Sequence, residues 1–347
     1  MKILIDGRVL THSKITGVEN HAINLIEKLK SIADIYVAIP KYQNKYYTHF
    51  WEHVVLPLKA IKYDLLFCPS NIAPFYLSKK VKLIVTLHDL SYKDFSQMYS
   101  KAFRRYYEFV IPRVLQRAEH VLTISKFSYE RIIREYPFVQ DKIDFIYHGK
   151  NEIFTFEPSI QKEDYILYVG SLNDTKNFSF VIKAFDKLNS KKYYLKMIMP
   201  ISSNFEINKE KKQLLEHAKK NSKIEIVDYL PQEKLVEIYQ KAKLFIFPSY
   251  HESFGFPVLE AMACGTSVVC SGTSSLPEVG GDAVVYCDPY DINDIKNKIE
   301  SVLNDENMQQ EMIKKGLERA KMFTWDKSAK EYLEVLKKLD HKEIYNF

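Results

Sequence analysis

The sequence predicts an α/β protein made of two consecutive, doubly wound domains. Three observations support this prediction: the chain length, the alternation of short apolar runs with helical patterns, and a polar break near the middle. The 347 residues are too many for one ordinary core and suit two domains of roughly 150–180 residues each. Hydrophobic residues make up 46% of the chain and charged residues 27%, which is typical of a globular protein and not of a disordered one.

Twelve short runs are predicted to be parallel strands, because they are apolar on both faces and are separated by helical patterns. Such alternation is typical of βαβ units. The runs are Lys2–Ile5, Ile35–Ile39, Leu65–Phe67, Leu83–Leu87, Val121–Ile124, Ile143–Tyr147, Tyr165–Val169, Leu195–Met199, Ile224–Val227, Leu244–Phe247, Ser267–Cys270 and Val284–Tyr286.

Amphipathic helical patterns lie between these runs, for example over Glu19–Leu29, Phe178–Leu188 and Gln232–Ala242. The pattern from Trp325 to Leu339 predicts a C-terminal helix. Lys150–Asp164 is polar and weakly patterned, and it separates two complete series of strands. We therefore predict an N-terminal Rossmann-like domain over residues 1–158, a second one over 159–325, and a C-terminal helix over 326–347.

The positive charge is concentrated in the first half of the chain. The formal net charge is +6; residues 1–158 contribute +7 and residues 159–347 contribute −1, counted from the same sequence. A basic half is compatible with nucleic acid, an anionic membrane surface, a phosphorylated acceptor or an ordinary solvated surface. Aromatic residues within the basic segments Lys41–Tyr47 and Phe103–Tyr107 favour a membrane, and since no nucleic-acid-binding module is recognisable we expect no nucleic-acid partner.

The N-terminus and the cysteines favour a cytoplasmic protein. Met1–Asp6 leads directly into a strand pattern, without the apolar core of a signal peptide, and no apolar run reaches the roughly 18–20 residues of a membrane-spanning helix. The four cysteines form no CxxC pair and lie in apolar stretches. We expect reduced, buried thiols with neither a disulfide nor a metal.

The most informative segment is Ser249–Gly265, which reads SYHESFGFPVLEAMACG. A strand leads into a loop, and Pro257 then suits the first turn of a helix. In doubly wound sheets ligands bind beyond the carboxyl ends of the strands, where loop amides and a helix N-terminus attract a diphosphate. Burial of Glu260 in an apolar helix requires polar partners, which ligand hydroxyls would supply. The alternative is a capped helix with two surface carboxylates, Glu252 and Glu260.

At this point the chain resembles the retaining family-4 (group 1) glycosyltransferases of the GT-B fold, in which two Rossmann-like domains face each other across a cleft. Glu252 and Glu260 have the E-x7-E spacing of that family. The resemblance extends over nearly the whole chain. It includes Tyr168–Asn177, Ser275–Val279, Gly281–Ala283 and Asp288–Asp291, and more weakly Ile15–Val18, His88–Asp89 and Ile124–Lys126.

The resemblance implies a role for several residues of the second half. Glu260 would accept hydrogen bonds from the ribose of the nucleotide. Lys176, which follows Gly170 in the motif Tyr168–Asn177, would bind the diphosphate and stabilise the charge that develops on it. Stabilisation of this charge is the largest catalytic contribution that such a site offers. The hydroxyls of the transferred sugar would be held by Glu252 together with the loop residues Ser253, Phe254, Gly255 and Phe256. The stretch Asp228–Pro231, which follows a strand and includes Tyr229, would border the base.

The resemblance also assigns residues of the first half. A lone histidine after a strand is more often structural, but the pair His88–Asp89 matches the family pattern and would lie near the sugar and the attacking hydroxyl. Thr16 and Gly17 would let the backbone approach the phosphates or the acceptor. Ser125 either belongs to the site or simply caps a helix. The C-terminal helix is expected to cross back to the first domain.

One departure from the family concerns phosphate binding. Many relatives carry an arginine beside the lysine or soon after the glycine, where this chain has Thr175 and Ser171. Arg8 and Lys126, each just after a strand, are the candidates to replace it. No DxD motif is placed to hold a metal, and we expect neither a metal nor another cofactor.

The expected activity is retaining, metal-independent transfer of a hexose from a nucleotide diphosphate sugar, such as GDP-mannose, to a saccharide acceptor. The acceptor is expected to be lipid-linked, at the inner face of the cell membrane, in the synthesis of a surface polysaccharide such as O-antigen or capsule. A nucleotide-sugar epimerase of the same architecture is the alternative. A dinucleotide-dependent oxidoreductase is not supported, because Asp6–Val9 lacks the G-x-G-x-x-G turn.

Overall fold

The computed structural model describes residues 1–11, 16–42, 44–199, 208–228 and 230–341. The chain forms two compact units, one made of Met1–Gly149 and the C-terminal segment from Thr324, the other of Lys150–Phe323. The first unit therefore ends at Gly149 rather than at residue 158. The stretch that the sequence analysis treats as a boundary belongs to the second unit, because Phe154 is buried there against the ring of Tyr239.

The first unit contains one six-stranded, entirely parallel sheet in the order β2-β1-β3-β4-β5-β6. Its strands are β1 (Ile3–Asp6), β2 (Ile35–Ala38), β3 (Leu65–Cys68), β4 (Lys82–Thr86), β5 (His120–Thr123) and β6 (Ile143–Phe145). Its helices are α1 (Gly17–Ile32), α2 (Lys45–Phe50), α3 (Leu56–Ala60), α4 (Ser91–Asp94), α5 (Lys101–Arg117) and α6 (Lys126–Glu135), with a π-helical turn, Trp51–Val55, joining α2 to α3.

The second unit contains another six-stranded parallel sheet, in the order β12-β11-β10-β7-β8-β9. Its strands are β7 (Glu163–Val169), β8 (Tyr194–Ile198), β9 (Ile224–Val227), β10 (Ala242–Phe247), β11 (Ser267–Ser271) and β12 (Val285–Cys287). Its helices are α7 (Phe178–Leu188), α8 (Lys209–Lys220), α9 (Gln232–Lys241), α10 (Phe256–Ala263), α11 (Leu276–Gly280), α12 (Ile292–Leu303) and α13 (Glu306–Ala320).

The prediction of two doubly wound α/β units is confirmed. Each of the twelve predicted strands is present, with its ends shifted by at most two residues. The inner strands were recognisable because they are buried on both faces, as in β1, β3 and β11, where every residue is buried. The four cysteines are buried as well. In the described part of the chain no helix is long and apolar enough to cross a membrane.

The strand order of each sheet reverses beside its first strand. In the first unit the reversal lies between β1 and β3, and in the second unit between β7 and β10. The loops that follow such a pair of strands leave in opposite directions and open a crevice at the carboxyl edge of the sheet, where doubly wound proteins bind ligands. In the second unit these loops begin at Gly170 and Pro248.

The C-terminal helix α14 (Trp325–His341) belongs to the first unit, where it packs along α1. Ser328 Oγ donates to the carbonyl of Tyr147 at 2.6 Å, and the ring of Tyr332 is buried 5.7 Å from that of Phe67, centroid to centroid. The apolar stripe that predicted this helix is the face that the helix buries.

We predict that Tyr332→Ala lowers the free energy of unfolding of the first unit by about 3–5 kcal/mol, the usual effect of removing a large buried aromatic side chain. Trp51 and Trp325 are both buried in this unit and are the chain's two tryptophans. Urea unfolding followed by tryptophan fluorescence therefore measures the effect. Tyr290→Ala, at a position 69% exposed in the second unit, is the control and should leave the transition unchanged; an equal effect of both changes would contradict the prediction.

Candidate functional site

An ion pair joins the loops that follow β7 and β10. Lys176 closes a 3₁₀ turn, Asp174–Lys176, at the end of the first loop, and Glu252 lies in the second. Lys176 Nζ is 2.7 Å from Glu252 Oε1 and 2.8 Å from Oε2. Because β7 and β10 are the pair at which the strand order reverses, the sheet brings together two residues 76 positions apart in sequence.

Asn177 fixes the position of Lys176. It adopts left-handed backbone angles, φ 56° and ψ 34°, which asparagine tolerates better than most residues. Its buried Nδ2 donates to the carbonyls of Pro248 at 3.0 Å and Pro289 at 2.8 Å. Tyr168, at the end of β7, donates its hydroxyl to the carbonyl of Lys176 at 3.1 Å. These bonds attach the lysine loop to the sheet and to the glutamate loop.

The loop after β11 fixes the backbone around Glu252. The N–H of Glu252 donates to Ser274 Oγ at 2.9 Å. The buried Ser275 hydroxyl lies 2.8 Å from the carbonyl of Glu252 and 2.8 Å from that of Phe254. The glutamate side chain is thereby left to face Lys176, while its main chain is held from a neighbouring strand.

Glycine is needed at two positions of the site, for a different steric reason at each. A Cβ at Gly170 would lie 2.6 Å from the Tyr168 hydroxyl, which holds Lys176. Gly255 has φ +116°, in the region that favours glycine, and its Cβ would meet Leu276 Cδ2 at 2.6 Å. Both positions therefore require glycine for the loops to keep this geometry.

The first turn of α10 offers fewer amides to an anion than its sequence predicts. The N–H groups of Val258 and Leu259 each lie 3.2 Å from the carbonyl of Gly255, and Pro257 has no N–H. Of the helix amides and the ammonium of Lys176, the ammonium is therefore the stronger attraction for a phosphate.

The aromatic residues of the glutamate loop serve packing. The ring of Phe254 is buried, with its centroid 5.2 Å from that of Phe256 and 5.9 Å from that of Phe323. Ser253, between Glu252 and this cluster, is partly exposed. Contact of the loop with a ligand would thus fall mainly on Glu252, Ser253 and the backbone.

Glu260 lies half-buried in α10, one turn beyond the loop. The hydroxyl of Tyr239, from α9, donates to Glu260 Oε2 at 3.3 Å. Burial raises the pKa of Glu260 to about 7, although the hydrogen bond from Tyr239 acts in the opposite direction. A ligand that donates further hydrogen bonds would favour the ionised form, as expected of a residue that binds hydroxyls.

In the first unit, His88 lies two residues beyond β4 and is 3% exposed. Its Nε2 is 3.0 Å from the carbonyl of Pro69 and therefore carries the proton that is donated there. Its backbone N–H donates to Asn71 Oδ1 at 2.7 Å. Burial lowers the pKa of His88, opposed by Asp89 and Glu19, so the imidazole is neutral at pH 7.

Two further histidines, which the sequence analysis did not single out, surround His88. His21 Nδ1 lies 3.0 Å from His148 Nδ1, and the centroid of the His21 ring is 4.8 Å from that of His88 in an edge-on arrangement. Burial lowers the pKa of both His21 and His148 well below the usual value. His21 falls on the apolar stripe of α1, and nothing in its sequence context separates it from an ordinary core residue.

Thr16 and Gly17 form the start of α1. The backbone N–H of Thr16 donates to Glu19 Oε2 at 2.9 Å, and its hydroxyl contacts the same oxygen. This is a capping arrangement, in which the side chain of Thr16 is used by the helix. Gly17 is exposed at the first helical position.

Other residues predicted for the site have structural contacts. Ser125 is the N-cap of α6, where its Oγ accepts from the N–H of Ser128 at 3.1 Å; this is the structural alternative considered for it. Asp89 Oδ1 accepts from the N–H of Ser91 at 2.9 Å. Tyr229 lies outside the residues that the structure describes.

The two candidates for the missing arginine both have partners in the first unit. Arg8 is buried, with Nη1 3.4 Å from Glu52 Oε2 and Nε 3.9 Å from Asp6 Oδ2. Burial raises the pKa of Glu52, opposed by Arg8. Lys126 is largely exposed, 3.8 Å from Glu130. Arg8 is therefore engaged with two carboxylates, and its role as a second phosphate-binding cation stays a prediction.

Among the described residues, no group of three or more histidine, cysteine, aspartate or glutamate side chains is arranged to hold a metal ion.

Comparisons with known proteins agree with this architecture. A family model described as glycosyl transferases group 1 matches residues 149–319, and one described as glycosyltransferase family 4 matches residues 15–151. The chain is 32% identical over 283 residues to O-antigen chain mannosyltransferase B of Escherichia coli, covering 76% of this chain and 73% of that protein.

A second relative and a solved structure are also similar to this chain. The chain is 26% identical over 231 residues, 62% of its length, to the serotype-specific mannosyltransferase WbdA of Escherichia coli, and it spans only 28% of that longer protein. It resembles the crystal structure of Anabaena Alr3699/HepE in complex with UDP-glucose with a TM-score of 0.75 and 15% identity, over 96% of this chain and all of that one. The fold is thus GT-B, and the chain belongs to the group 1 glycosyltransferases.

We predict that Gly170→Ala weakens the binding of UDP and GDP about tenfold or more. The new methyl group would displace the Tyr168 hydroxyl and with it the carbonyl of Lys176, and small displacements of positioned groups are costly. Isothermal titration calorimetry measures the effect. Gly272→Ala is the matched control, because its Cβ would meet its nearest neighbour at an ordinary 3.6 Å. Unchanged binding by the Gly170 variant would contradict this account.

We also predict that nucleotide binding strengthens as pH rises from 6 to 8. The pKa of Glu260 is raised to about 7 in the free protein, and in the role that the family resemblance implies, its ionised form would accept hydrogen bonds from hydroxyls of the nucleotide. Below pH 7 the affinity should therefore fall by up to about tenfold per pH unit. Calorimetry at pH 6, 7 and 8 measures this change. Glu260→Gln serves as the reference, since it retains the nucleotide's own titration; parallel pH profiles of the two proteins would exclude Glu260 as the cause.

Proposed function

We propose that this protein is a retaining, metal-independent hexosyltransferase. It moves mannose or a similar hexose from a nucleotide diphosphate sugar, such as GDP-mannose, to a saccharide acceptor in the synthesis of O-antigen or a capsule. The Lys176–Glu252 pair at the carboxyl edge of β7 and β10 carries the proposal. The mannosyltransferase relatives support the choice of sugar.

Donor binding would exchange the partners of this pair. The ammonium of Lys176 would turn to the diphosphate, and the carboxylate of Glu252 would accept hydrogen bonds from hydroxyls of the sugar. An ammonium at the leaving group stabilises the negative charge that develops as the glycosidic bond to phosphate breaks. Until the donor arrives, each charge satisfies the other, so neither is left uncompensated in a partly buried loop.

The hydrogen bonding of Glu252 favours one of the two routes to retention. In a double displacement, Glu252 would attack the anomeric carbon. In the donor complex proposed above, its oxygens would instead accept hydrogen bonds from hydroxyls of the sugar, and these bonds would lower the nucleophilicity of the carboxylate. In the route we propose, the acceptor oxygen bonds to the anomeric carbon of an oxocarbenium-like species. The bond to the diphosphate breaks, and the acceptor proton passes to a phosphate oxygen on the same face.

His88 is the candidate of the first unit for a substrate hydroxyl. Its Nε2–H is donated to Pro69, which leaves Nδ1 of the neutral ring as the hydrogen-bond acceptor. A neutral imidazole accepts a hydrogen bond without adding positive charge beside an oxocarbenium-like sugar. Burial among His21 and His148 keeps the ring in that state.

We further propose that the acceptor is lipid-linked and that the enzyme works in the cytoplasm, at the inner face of the cell membrane. The support is the charge of +7 carried by residues 1–158, since basic residues are attracted to the anionic lipids of that leaflet.

The decisive experiment combines donor binding with turnover in the presence of EDTA. We predict that the purified protein binds nucleoside diphosphate without a divalent metal. Lys176→Ala should reduce turnover about 100-fold or more, since one lost contact to a developing charge costs roughly 10²–10³. Lys183→Ala, on the exposed face of α7, is the matched control. Metal-dependent binding that is insensitive to Lys176→Ala and Glu260→Ala would refute the site.

The same assay, run with a panel of UDP-, GDP- and dTDP-sugars, identifies the donor from slow hydrolysis without acceptor. It also tests the epimerase alternative, which no structural observation supports. An epimerase would interconvert donor sugars without any acceptor, whereas a transferase releases nucleoside diphosphate and requires an acceptor for full turnover.

A further inference from the structure

Exposed apolar side chains are concentrated at one edge of the first unit. Among the residues that the structure describes, 17 large hydrophobic side chains are exposed, and eight of these lie within residues 32–61. Scattered exposed apolar residues are normal in soluble proteins, but a concentrated group marks an interaction surface. This segment comprises the end of α1, the edge strand β2 and the helical run from α2 to α3.

Four of these side chains form a stripe along the helical run. Phe50, Val54, Leu58 and Ile61 are spaced by four, four and three residues and are 54%, 42%, 63% and 60% exposed. This spacing places Phe50, Val54 and Leu58 on one face of the helical run, and Ile61 follows as the C-cap of α3. The opposite face is firmly anchored, because Trp51, Glu52, Leu56 and Ala60 are buried in the unit. The helix therefore buries one face in the unit and presents a second apolar face outward.

Lysines accompany the apolar stripe. A groove of about 450 Å³ runs between β2 and α3, and its walls include Tyr36, Leu58 and Tyr63 together with Lys59 and Lys62. Both lysines are exposed. The rings of Tyr36 and Tyr63 pack edge to face across the groove, 5.3 Å apart. We name Phe50, Val54, Leu58, Lys59, Ile61 and Lys62 the edge surface.

Acidic groups near the edge surface are few. Asp34 precedes β2, and Asp64 precedes β3 and accepts from the backbone N–H of Lys2 at 2.5 Å. Glu52, on the helical run itself, points inward and is buried beside Arg8. The outward charge along the stripe is therefore positive.

We propose that the edge surface docks on an anionic phospholipid bilayer, with the stripe inserted among the acyl chains and the lysines at the phosphate level. A stripe of exposed apolar residues with exposed lysines nearby is the chemistry of interfacial membrane binding. The aromatic rings of Tyr36 and Tyr63, each with an apolar body and a polar hydroxyl, suit the same depth. The edge strand β2 would be covered by lipid rather than left open to another chain.

This inference rests on the proposed function, in which the enzyme meets a lipid-linked acceptor at the membrane surface. Its test uses neither donor nor acceptor. Vesicles of phosphatidylcholine with 30% phosphatidylglycerol, and vesicles of phosphatidylcholine alone, are sedimented with the full-length protein at low salt. The protein should sediment with the anionic vesicles and remain largely in solution with the neutral ones. Failure of this test would leave the proposed transfer reaction standing.

Two double variants separate the apolar and the charged contributions. Lys59→Gln with Lys62→Gln should reduce partitioning about 30-fold, since each basic residue at an anionic surface contributes a factor of roughly five. Leu58→Gln with Ile61→Gln should reduce it about tenfold or more, through the loss of inserted apolar area. All four positions are exposed, and tryptophan fluorescence reports whether the variants remain folded.

The matched control is Arg134→Gln with Phe138→Gln. Both residues are exposed and lie at the end of α6 and in the turn that follows it, beside β6 at the opposite edge of the sheet. The control should bind as the unchanged protein does. Equal partitioning of all variants would overturn the proposal. So would a concentration-dependent dimer, seen by analytical ultracentrifugation, that the edge-surface changes dissociate, because the surface would then bind a second copy.

Discussion

The second unit is organised around one constraint, the contact of Lys176 with Glu252. Opposite charges from two loops are held 2.7 Å apart, and neither is fully exposed to water. An ion pair of this kind adds little net stability by itself, but the loss of one partner leaves the other uncompensated. The loops are therefore fixed in the geometry on which the proposed reaction depends, in which the donor would supply a phosphate to Lys176 and hydroxyls to Glu252.

The Lys176–Glu252 pair keeps its geometry because buried polar side chains fix the backbone of both loops that carry it. Asn177, Ser275 and Tyr168 bond to main-chain carbonyls of the two loops, and Ser249 Oγ bonds to the carbonyl of Thr175 at 2.8 Å. Buried polar groups must be satisfied, and here the partners that satisfy them are the loops that carry the charges. The hydrogen bonds that satisfy the buried polar groups are thus the same bonds that hold the site rigid.

The two units differ in their electrostatics. In the second unit Lys176 and Glu252 form an ion pair, and Glu260 is hydrogen-bonded to Tyr239 with a raised pKa. The histidine cluster of the first unit is buried and neutral, with lowered pKa values. The charge of the first unit is carried instead by its surface and by the buried set of Arg8, Asp6 and Glu52. Arg8, which follows β1, is thereby engaged with two carboxylates of its own unit.

Burial on both faces and helical periodicity are local properties of the chain, and from them the strands, the helices, the doubly wound class and the residue types of the candidate site could be predicted. The sequence placed Lys176 and Glu252 each after a strand, but the neighbouring positions of β7 and β10 result from sheet order, which no local pattern specifies. Local patterns also do not specify the contacts of the histidines around His88. Nor do they specify the burial of Phe154 in the second unit, because of which the first unit ends at Gly149. These contacts join residues far apart in sequence, and only the packing of the folded chain decides them.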